Sequence, residues 1–159
     1  MDETAAPATP GAQTLERLLR AVANGFGVPP DVTVTPDESG GLIGTLTAPE
    51  AGAVVGRGGE VIDAIQYLAA QAVSRAEGGG RRRVMVDAGD YRRTRAQMLE
   101  ELAVRAAEEA VEYGEEIELD PMTPHDRRIV HLALKDRTDV TTRSEGDEPR
   151  RRIIVEPAE

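Results

Sequence analysis

Residues 54–66 read Val54-Val55-Gly56-Arg57-Gly58-Gly59-Glu60-Val61-Ile62-Asp63-Ala64-Ile65-Gln66. Ahead of this stretch, Ala48-Pro49-Glu50 puts a proline in the first turn of a short helix ending at Val54-Val55. After it, Ile62, Ile65, Leu68, Ala69, Ala72 and Val73 recur at helical spacing and predict a long helix with that side inward. The loop Gly56-Arg57-Gly58-Gly59 therefore lies between two helices. Glycine lets backbone turn tightly and approach a ligand with no Cβ in the way. Amides at the start of the Glu60 helix, with its dipole, favour an anion there. Arg57 adds a charge-assisted contact suited to phosphate. A bare Gly-x-x-Gly is still better read as an ordinary helix–helix turn, so its surroundings decide. A P-loop needs a Gly-Lys pair, which this chain lacks. A dinucleotide fingerprint from Gly56 needs glycine where Val61 stands, and a strand where the helix stands.

Working outward, Thr14 can cap a helix carrying Leu15, Leu18, Leu19 and Val22, stopped by Gly25, Gly27, Pro29 and Pro30. Val32–Val34 and Leu42–Thr47 predict strands of a hairpin with its turn at Asp37-Glu38-Ser39-Gly40-Gly41. Gly78-Gly79-Gly80 ends the long helix, and Arg83–Val86 is a third strand. The first half thus reads helix–strand–strand–helix–helix–strand. Beyond it, Asp90 is the expected cap of a helix with an apolar stripe of Met98, Leu99, Leu102, Ala106, Ala110 and Val111. Gly114 closes that helix, and Glu116–Leu119 alternates as a strand. Thr123-Pro124 opens a helix to about Leu134. Val140–Ser144 and Arg151–Val155 are strands around the turn Gly146-Asp147-Glu148-Pro149. The second half reads helix–strand–helix–strand–strand. The expected organisation is a disordered tail at 1–13, one domain at 14–88 and a smaller one at 89–159.

The 159 residues suit one domain or two small ones, and aromatics make up only 3%, so aliphatic side chains must fill the core. Cysteine is absent, which excludes disulfides and thiolate chemistry and suits a reducing compartment. No apolar run is long enough for a membrane span. The N-terminus lacks the pattern of a signal peptide, so the cytoplasm is the expected location. The net charge of −10 argues against indiscriminate binding of nucleic acid. The charge is segregated, however. Residues 81–95 hold six arginines and two acids, and residues 96–120 hold nine acids and one base. At physiological salt a local basic patch acts over a Debye length of about 8 Å, so distant acid does not silence it. For Arg81–Arg83 alone a solvated turn suffices. The acid run Glu108-Glu109, Glu112, Glu115-Glu116, Glu118 and Asp120 reads first as a solvated face, and second as a docking surface or a shield.

A second motif is Arg127-Arg128-Ile129-Val130-His131. On a helix Arg127, His131 and Lys135 share one side, with Arg128 and Pro124 near it, and Ile129, Val130 and Ala133 opposite. A phosphate-binding surface and a plain solvated basic face both fit this periodicity. His131 is expected to be neutral at pH 7, so it would hydrogen-bond or stack rather than supply charge. His125, Asp126 and His131 do not make a metal site by spacing, because the two histidines lie on different helix sides and no third ligand is placed. Nothing positions a Ser–His–Asp site. No catalytic step, metal or cofactor is expected.

The Gly-x-x-Gly loop within helix–strand–strand–helix–helix–strand resembles a KH domain of the bacterial topology, which holds about four nucleotides by their backbone. In that resemblance the bases lie against Ile43, Val55, Val61 and Ile62. The Arg-x-x-x-His spacing resembles the single-strand-binding domain named for those residues. The likeness runs further: Glu118-Leu119-Asp120-Pro121-Met122-Thr123-Pro124, then Arg127–His131, then Thr142-Arg143-Ser144-Glu145-Gly146 resemble the Jag family, also called KhpB or SpoIIIJ-associated proteins. Gly59-Glu60, Asp63–Leu68, Val86-Asp87 and Tyr91-Arg92 resemble the same family's KH half. The likeness covers about residues 15–157.

It implies an α+β protein that binds single-stranded RNA. Gly56, Gly58 and Gly59 would admit phosphates and Arg57 would pair with them. Arg127 and His131 would contact the strand in the second domain, with Arg128, Lys135 and Arg143 as flanking charges. It also implies a role as RNA chaperone or post-transcriptional regulator in cell-envelope or division physiology, a possible small KH-only partner, and no membrane insertion. Two departures stand out. Many relatives carry a further N-terminal domain, for which this sequence has no room, and the third loop position is Gly58 where a larger polar residue is usual. A scaffold that binds proteins through the acidic helix and the KH-like side is the alternative from a different class.

Overall fold

The structure is a computed structural model that describes residues 9–158. It divides into two compact units, one up to Tyr91 and the other from Arg92. In the first unit, α1 (Pro10–Gly25) precedes β1 (Val32–Pro36) and β2 (Leu42–Leu46). Two short 3-10 turns, Pro49–Val54 and Arg57–Gly59, lead into α2 (Glu60–Ala76), and β3 (Val84–Ala88) completes the unit.

α1 begins at Pro10, not at Thr14. Thr9 is the cap: its hydroxyl accepts from the Ala12 amide at 3.2 Å, and Pro10 occupies the first-turn position that needs no amide. The expected tail over 1–13 thus loses its last residues to the helix, and its remainder, 1–8, lies outside the described residues. The first of the two central helices is a 3-10 turn. Gly52 weakens it and Gly56, at φ 74, ends it.

β1 and β2 pair antiparallel through Val34↔Gly44, and β2 and β3 pair parallel through Gly44↔Val86. The parallel pair requires the crossover that α2 provides. Alternation on β2 and β3 buries Leu42, Leu46, Val84 and Val86 against Leu15 and Leu19 of α1 and Ile62, Ile65, Ala69 and Val73 of α2. Gly44 lets α1 lie close on the sheet, since a Cβ there would sit 2.5 Å from Leu19 Cδ1. Leu68, expected inside, is 59% exposed, because a helix on one side of a sheet buries a narrower stripe than the apolar residues offer.

The second unit holds α3 (Tyr91–Tyr113), β4 (Ile117–Glu118), α4 (Pro124–Leu134), β5 (Val140–Glu145) and β6 (Arg152–Pro157). Its sheet is antiparallel, in the order β4-β6-β5. Asp90, the expected cap of α3, sits at φ 61 rather than in the extended conformation of an N-cap. The side of α3 that packs is built of Leu99, Ala103, Ala106, Ala107 and Ala110, with Leu102 half-buried. Met98 and Val111, expected in that stripe, are exposed. The alanines allow close approach to Val130 and Leu134 of α4 and to Val140, Ile153 and Val155 of the sheet. Of the acid run, Glu116 and Glu118 are ion-paired with Arg143 and Arg152, which lie on β5 and β6.

Candidate nucleic-acid interface

The glycine loop takes its shape from three left-handed residues, Gly56 (φ 74), Gly58 (φ 57) and Gly59 (φ 86). They differ in what they need. A Cβ on Gly56 would lie 2.4 Å from Val61 Cγ2, and one on Gly59 would lie 2.6 Å from Tyr91 Oη. A Cβ on Gly58 would meet nothing within 4 Å. Gly56 and Gly59 are therefore demanded by packing, and Gly58 is the point where a backbone ligand has open access. Arg57 is exposed, and its guanidinium holds no carboxylate or hydrogen-bond acceptor among the described residues. The amides at the start of α2 do not point outward as expected. Val61 and Ile62 both donate to Val55 O at 3.2 Å, Glu60 donates to Arg57 O, and Gly59 donates to Gly56 O at 3.4 Å. Anion recognition at this loop falls to Arg57 and to the close approach at Gly58. Of the expected apolar wall, Val55 and Ile62 are core residues, while Ile43 and Val61 are half-buried.

In the second unit, α4 is positioned at its start. The Thr123 hydroxyl accepts from the Asp126 amide at 3.3 Å, and Pro124 follows the cap. The Asp126 carboxylate is buried and accepts from Arg95 Nε and Nη2 at 2.9 and 2.8 Å, which ties α4 to α3. Asp126 is thus engaged in an ion pair and His125 is exposed, so they do not converge with His131.

Arg127 is not on the outer face. Its side chain is only 9% exposed; Nη1 donates to Met122 O at 2.7 Å and Nη2 pairs with Glu148 Oε1 at 2.5 Å. The hydrogen bond and charge of Arg127 hold the Glu148 carboxyl below its usual range. One turn along, His131 bridges the hairpin: Nδ1 lies 2.7 Å from Thr142 Oγ1 and Nε2 lies 3.1 Å from Ser144 Oγ. Burial, and then the Arg127 charge, lower its pKa from 6.5, so the ring is neutral at pH 7. One ring nitrogen donates and the other accepts, and the hydroxyls can serve either tautomer.

An open groove of 680 Å³ lies over this arrangement, lined by Pro124, Arg127, Arg128, His131, Leu132, Ser144, Glu148 and Arg151. Since Arg127 and Glu148 neutralise each other, Arg128 and Arg151 carry its positive charge. Arg128 is exposed with no partner among the described residues. Arg151, which the motif spacing does not reveal, donates to Ser144 O and Gly146 O at 3.4 and 3.2 Å and is held at the groove's edge. The hairpin register is the signal that finds it, because Ser144 pairs with Ile153 and so brings Arg151 beside the turn. Leu132, 49% exposed, adds an apolar surface. Arg143, expected as a flanking charge, is instead surrounded by Glu116, Glu145 and Glu156 at 3.1, 3.1 and 2.6 Å. Lys135 is exposed at the end of α4 and does not line the groove.

The lowered pKa of His131 has a consequence for stability. In the unfolded chain the ring takes its proton near pH 6.5, and in the folded chain only at lower pH. Between those values the unfolded state binds more protons, so stability falls as pH drops below about 6.5. Thermal melts between pH 7.5 and pH 5 are expected to show this loss, and His131→Gln should flatten it. An equal slope in the variant would remove His131 as the source.

Residues 97–157 match the R-3-H domain family, named for an arginine and a histidine separated by three residues. The chain is 32% identical over 139 residues to the RNA-binding protein KhpB of Clostridium symbiosum, covering 87% of this chain and 62% of that protein. It is 35% identical over 139 residues to RNA-binding protein KhpB of Lactiplantibacillus plantarum, covering 86% and 42%. With RNA-binding protein KhpB of Bacillus subtilis the identity is 28% over 145 residues, covering 90% and 69%. The chain thus spans less than two thirds of the length of the first two. No helix among the described residues is long and apolar enough to cross a membrane. The match at 97–157 takes in α4, the His131 bridge and the hairpin, and the chain is similar over most of its length to RNA-binding proteins of the KhpB family.

Proposed function

We propose that this chain is a member of the KhpB/Jag family that binds single-stranded RNA through a KH-like unit and an Arg-x-x-x-His unit, without a catalytic step. The observation that carries the reading is the groove over α4. It sets two guanidinium groups, Arg128 and Arg151, beside a neutral histidine, two hydroxyl groups and an exposed leucine. Phosphates suit the guanidinium groups, and bases and 2′-hydroxyls suit the rest. The Gly56–Gly59 loop, with Arg57 unpaired at its tip, provides a second backbone contact. The element order α1-β1-β2-turn-α2-β3 around that loop supports the KH assignment. His131 acts as a fixed neutral partner, and Arg127 acts beneath the groove by holding the β5–β6 turn through Glu148. A cytoplasmic role as RNA chaperone or post-transcriptional regulator in cell-envelope or division physiology follows from the resemblance. The exposed Tyr67 and Leu68 of α2, at 66% and 59%, offer an apolar surface to a small KH-only partner.

The test is fluorescence anisotropy with labelled single-stranded RNA, single-stranded DNA and duplex RNA over a salt series. Single-stranded RNA should bind most tightly. Its log affinity should fall with log salt by about 0.7 for each phosphate neutralised. A flat salt response, or equal binding of duplex, would overturn the reading. Crosslinking in cells followed by RNA sequencing adds a second check, where background-level enrichment would favour a protein-binding scaffold.

A further inference from the structure

The Arg81-Arg82-Arg83 run lies outside both surfaces described above. It follows the C-terminal end of α2, whereas the Gly56–Gly59 loop precedes the N-terminal end. The 17 residues of α2, at 1.5 Å each, separate the two by about 25 Å. The three arginines are not equivalent. Arg82 is part of the framework: Nε donates to Gly40 O at 2.7 Å, and Nη1 reaches Thr9 Oγ1 at 3.1 Å and Glu77 Oε1 at 2.5 Å. It joins the start of α1, the β1–β2 turn and the end of α2. Arg81 and Arg83, on either side of it, are exposed, and neither guanidinium has a hydrogen bond or ion pair among the described residues.

That is uncommon in this chain. Arg20, Arg95, Arg127, Arg137, Arg143 and Arg152 each hold a carboxylate. The nearby acids are engaged elsewhere: Glu77 with Arg82, and Asp37 with Ser39 and the Gly41 amide. The run also forms a ridge between two concavities. One, of 520 Å³, is bounded by Ser39–Gly41 and Glu77; the other, of 390 Å³, is bounded by Ala70, Gln71 and Ser74 of α2. Arg81 and Arg83 sit two residues apart on an extended segment, so their Cα atoms are about 6.6 Å apart. Successive phosphates of an extended single strand are comparably spaced.

We propose that Arg81 and Arg83 form a further RNA-backbone site, which takes phosphates of a strand that extends beyond the Gly56–Gly59 loop. The site rests on the RNA-binding reading above. It makes the affinity of the first unit depend on strand length, because a strand occupying only the loop ends well short of it. At physiological salt the Debye length is about 8 Å, so charge changes at the ridge leave the loop contact unaltered.

The experiment uses the full chain and the variant Arg81→Gln/Arg83→Gln, titrated with labelled hexameric and twenty-nucleotide poly-uridine RNA over a salt series. Thermal melting of both proteins accompanies it; the exposed, unpartnered side chains predict equal melting. The variant should lose about tenfold affinity for the long strand and none for the hexamer. The salt slope for the long strand should shrink by about 1.4, the value for two phosphates. An unchanged long-strand affinity, or an equal loss on both lengths, overturns the ridge site and leaves the loop and groove standing. Failure of the unaltered chain to bind either RNA overturns the RNA reading itself, and the ridge site with it.

Discussion

Replacing Arg57 and Gly58 together with Asp should remove RNA binding by the glycine loop and leave the fold in place. Arg57 is exposed, and no group among the described residues depends on its side chain, so its loss costs the fold little. At Gly58 a new Cβ meets open space, and the backbone (φ 57, ψ 17) is the left-handed conformation that Asp tolerates better than most residues. The strain is about 1–2 kcal/mol. Binding loses much more. A hydrogen bond to a charged group contributes about 1.5–3 kcal/mol, so losing the Arg57 contact alone weakens RNA binding by about 10- to 150-fold. Two new carboxylates at the closest point of approach then repel the phosphates. The same substitution at Gly59 would instead drive a side chain into Tyr91, and at Gly56 into Val61, so either would disrupt the fold rather than test the contact. Anisotropy with labelled RNA and a circular-dichroism melt check both halves. Unchanged affinity in a folded variant would take the loop out of the interface.

This loop shows what can be read from the sequence. The glycines, the flanking helices and the strand order follow from periodicity and turn chemistry, both local. The fate of the amides does not. Val55 O captures the Val61 and Ile62 amides because the chain doubles back at Gly56, and no residue pattern announces that reversal. The start of α1 differs from expectation for a related reason. Thr9-Pro10 and Thr14 both look like starts, and the choice falls to Thr9 because its hydroxyl caps the Ala12 amide. Leu68, Met98 and Val111 fit helical stripes yet are exposed. Periodicity gives a direction on the helix but not the width that the opposing layer covers.

The second unit shows a sharper limit. The spacing of Arg127 and His131 locates the groove, but which arginine faces outward depends on partners far along the chain. Arg127 is drawn in by Glu148 and the Met122 carbonyl, and Arg143 is neutralised by acids from three segments. Arg151 enters the groove only because the hairpin register carries it there. Charge at the groove is therefore legible as a quantity but not as an assignment to residues.

That reassignment leads to the other large expected effect. Arg127→Ala and Arg128→Ala, one residue apart, should fail in different assays. Removing Arg127 takes out a buried guanidinium, leaves the Met122 carbonyl without its donor and opens space under the groove. Breaking a buried ion pair costs about 3–5 kcal/mol. Here Glu148 is 52% exposed and can rehydrate, so about 2–3 kcal/mol is expected, seen as a lower melting temperature of residues 92–159. Arg128 has no partner to lose, and exposed substitutions of this kind stay within about 0.5 kcal/mol. Its cost falls on RNA: about tenfold in affinity, similar for all sequences, because phosphate contacts carry no base information. Measuring melting and affinity side by side separates the two roles. If Arg127→Ala melts like the unaltered protein and loses RNA binding, Arg127 touches phosphate directly and the Glu148 pair opens in the complex. If Arg128→Ala keeps full affinity, the charge that the groove offers RNA lies with Arg151 alone.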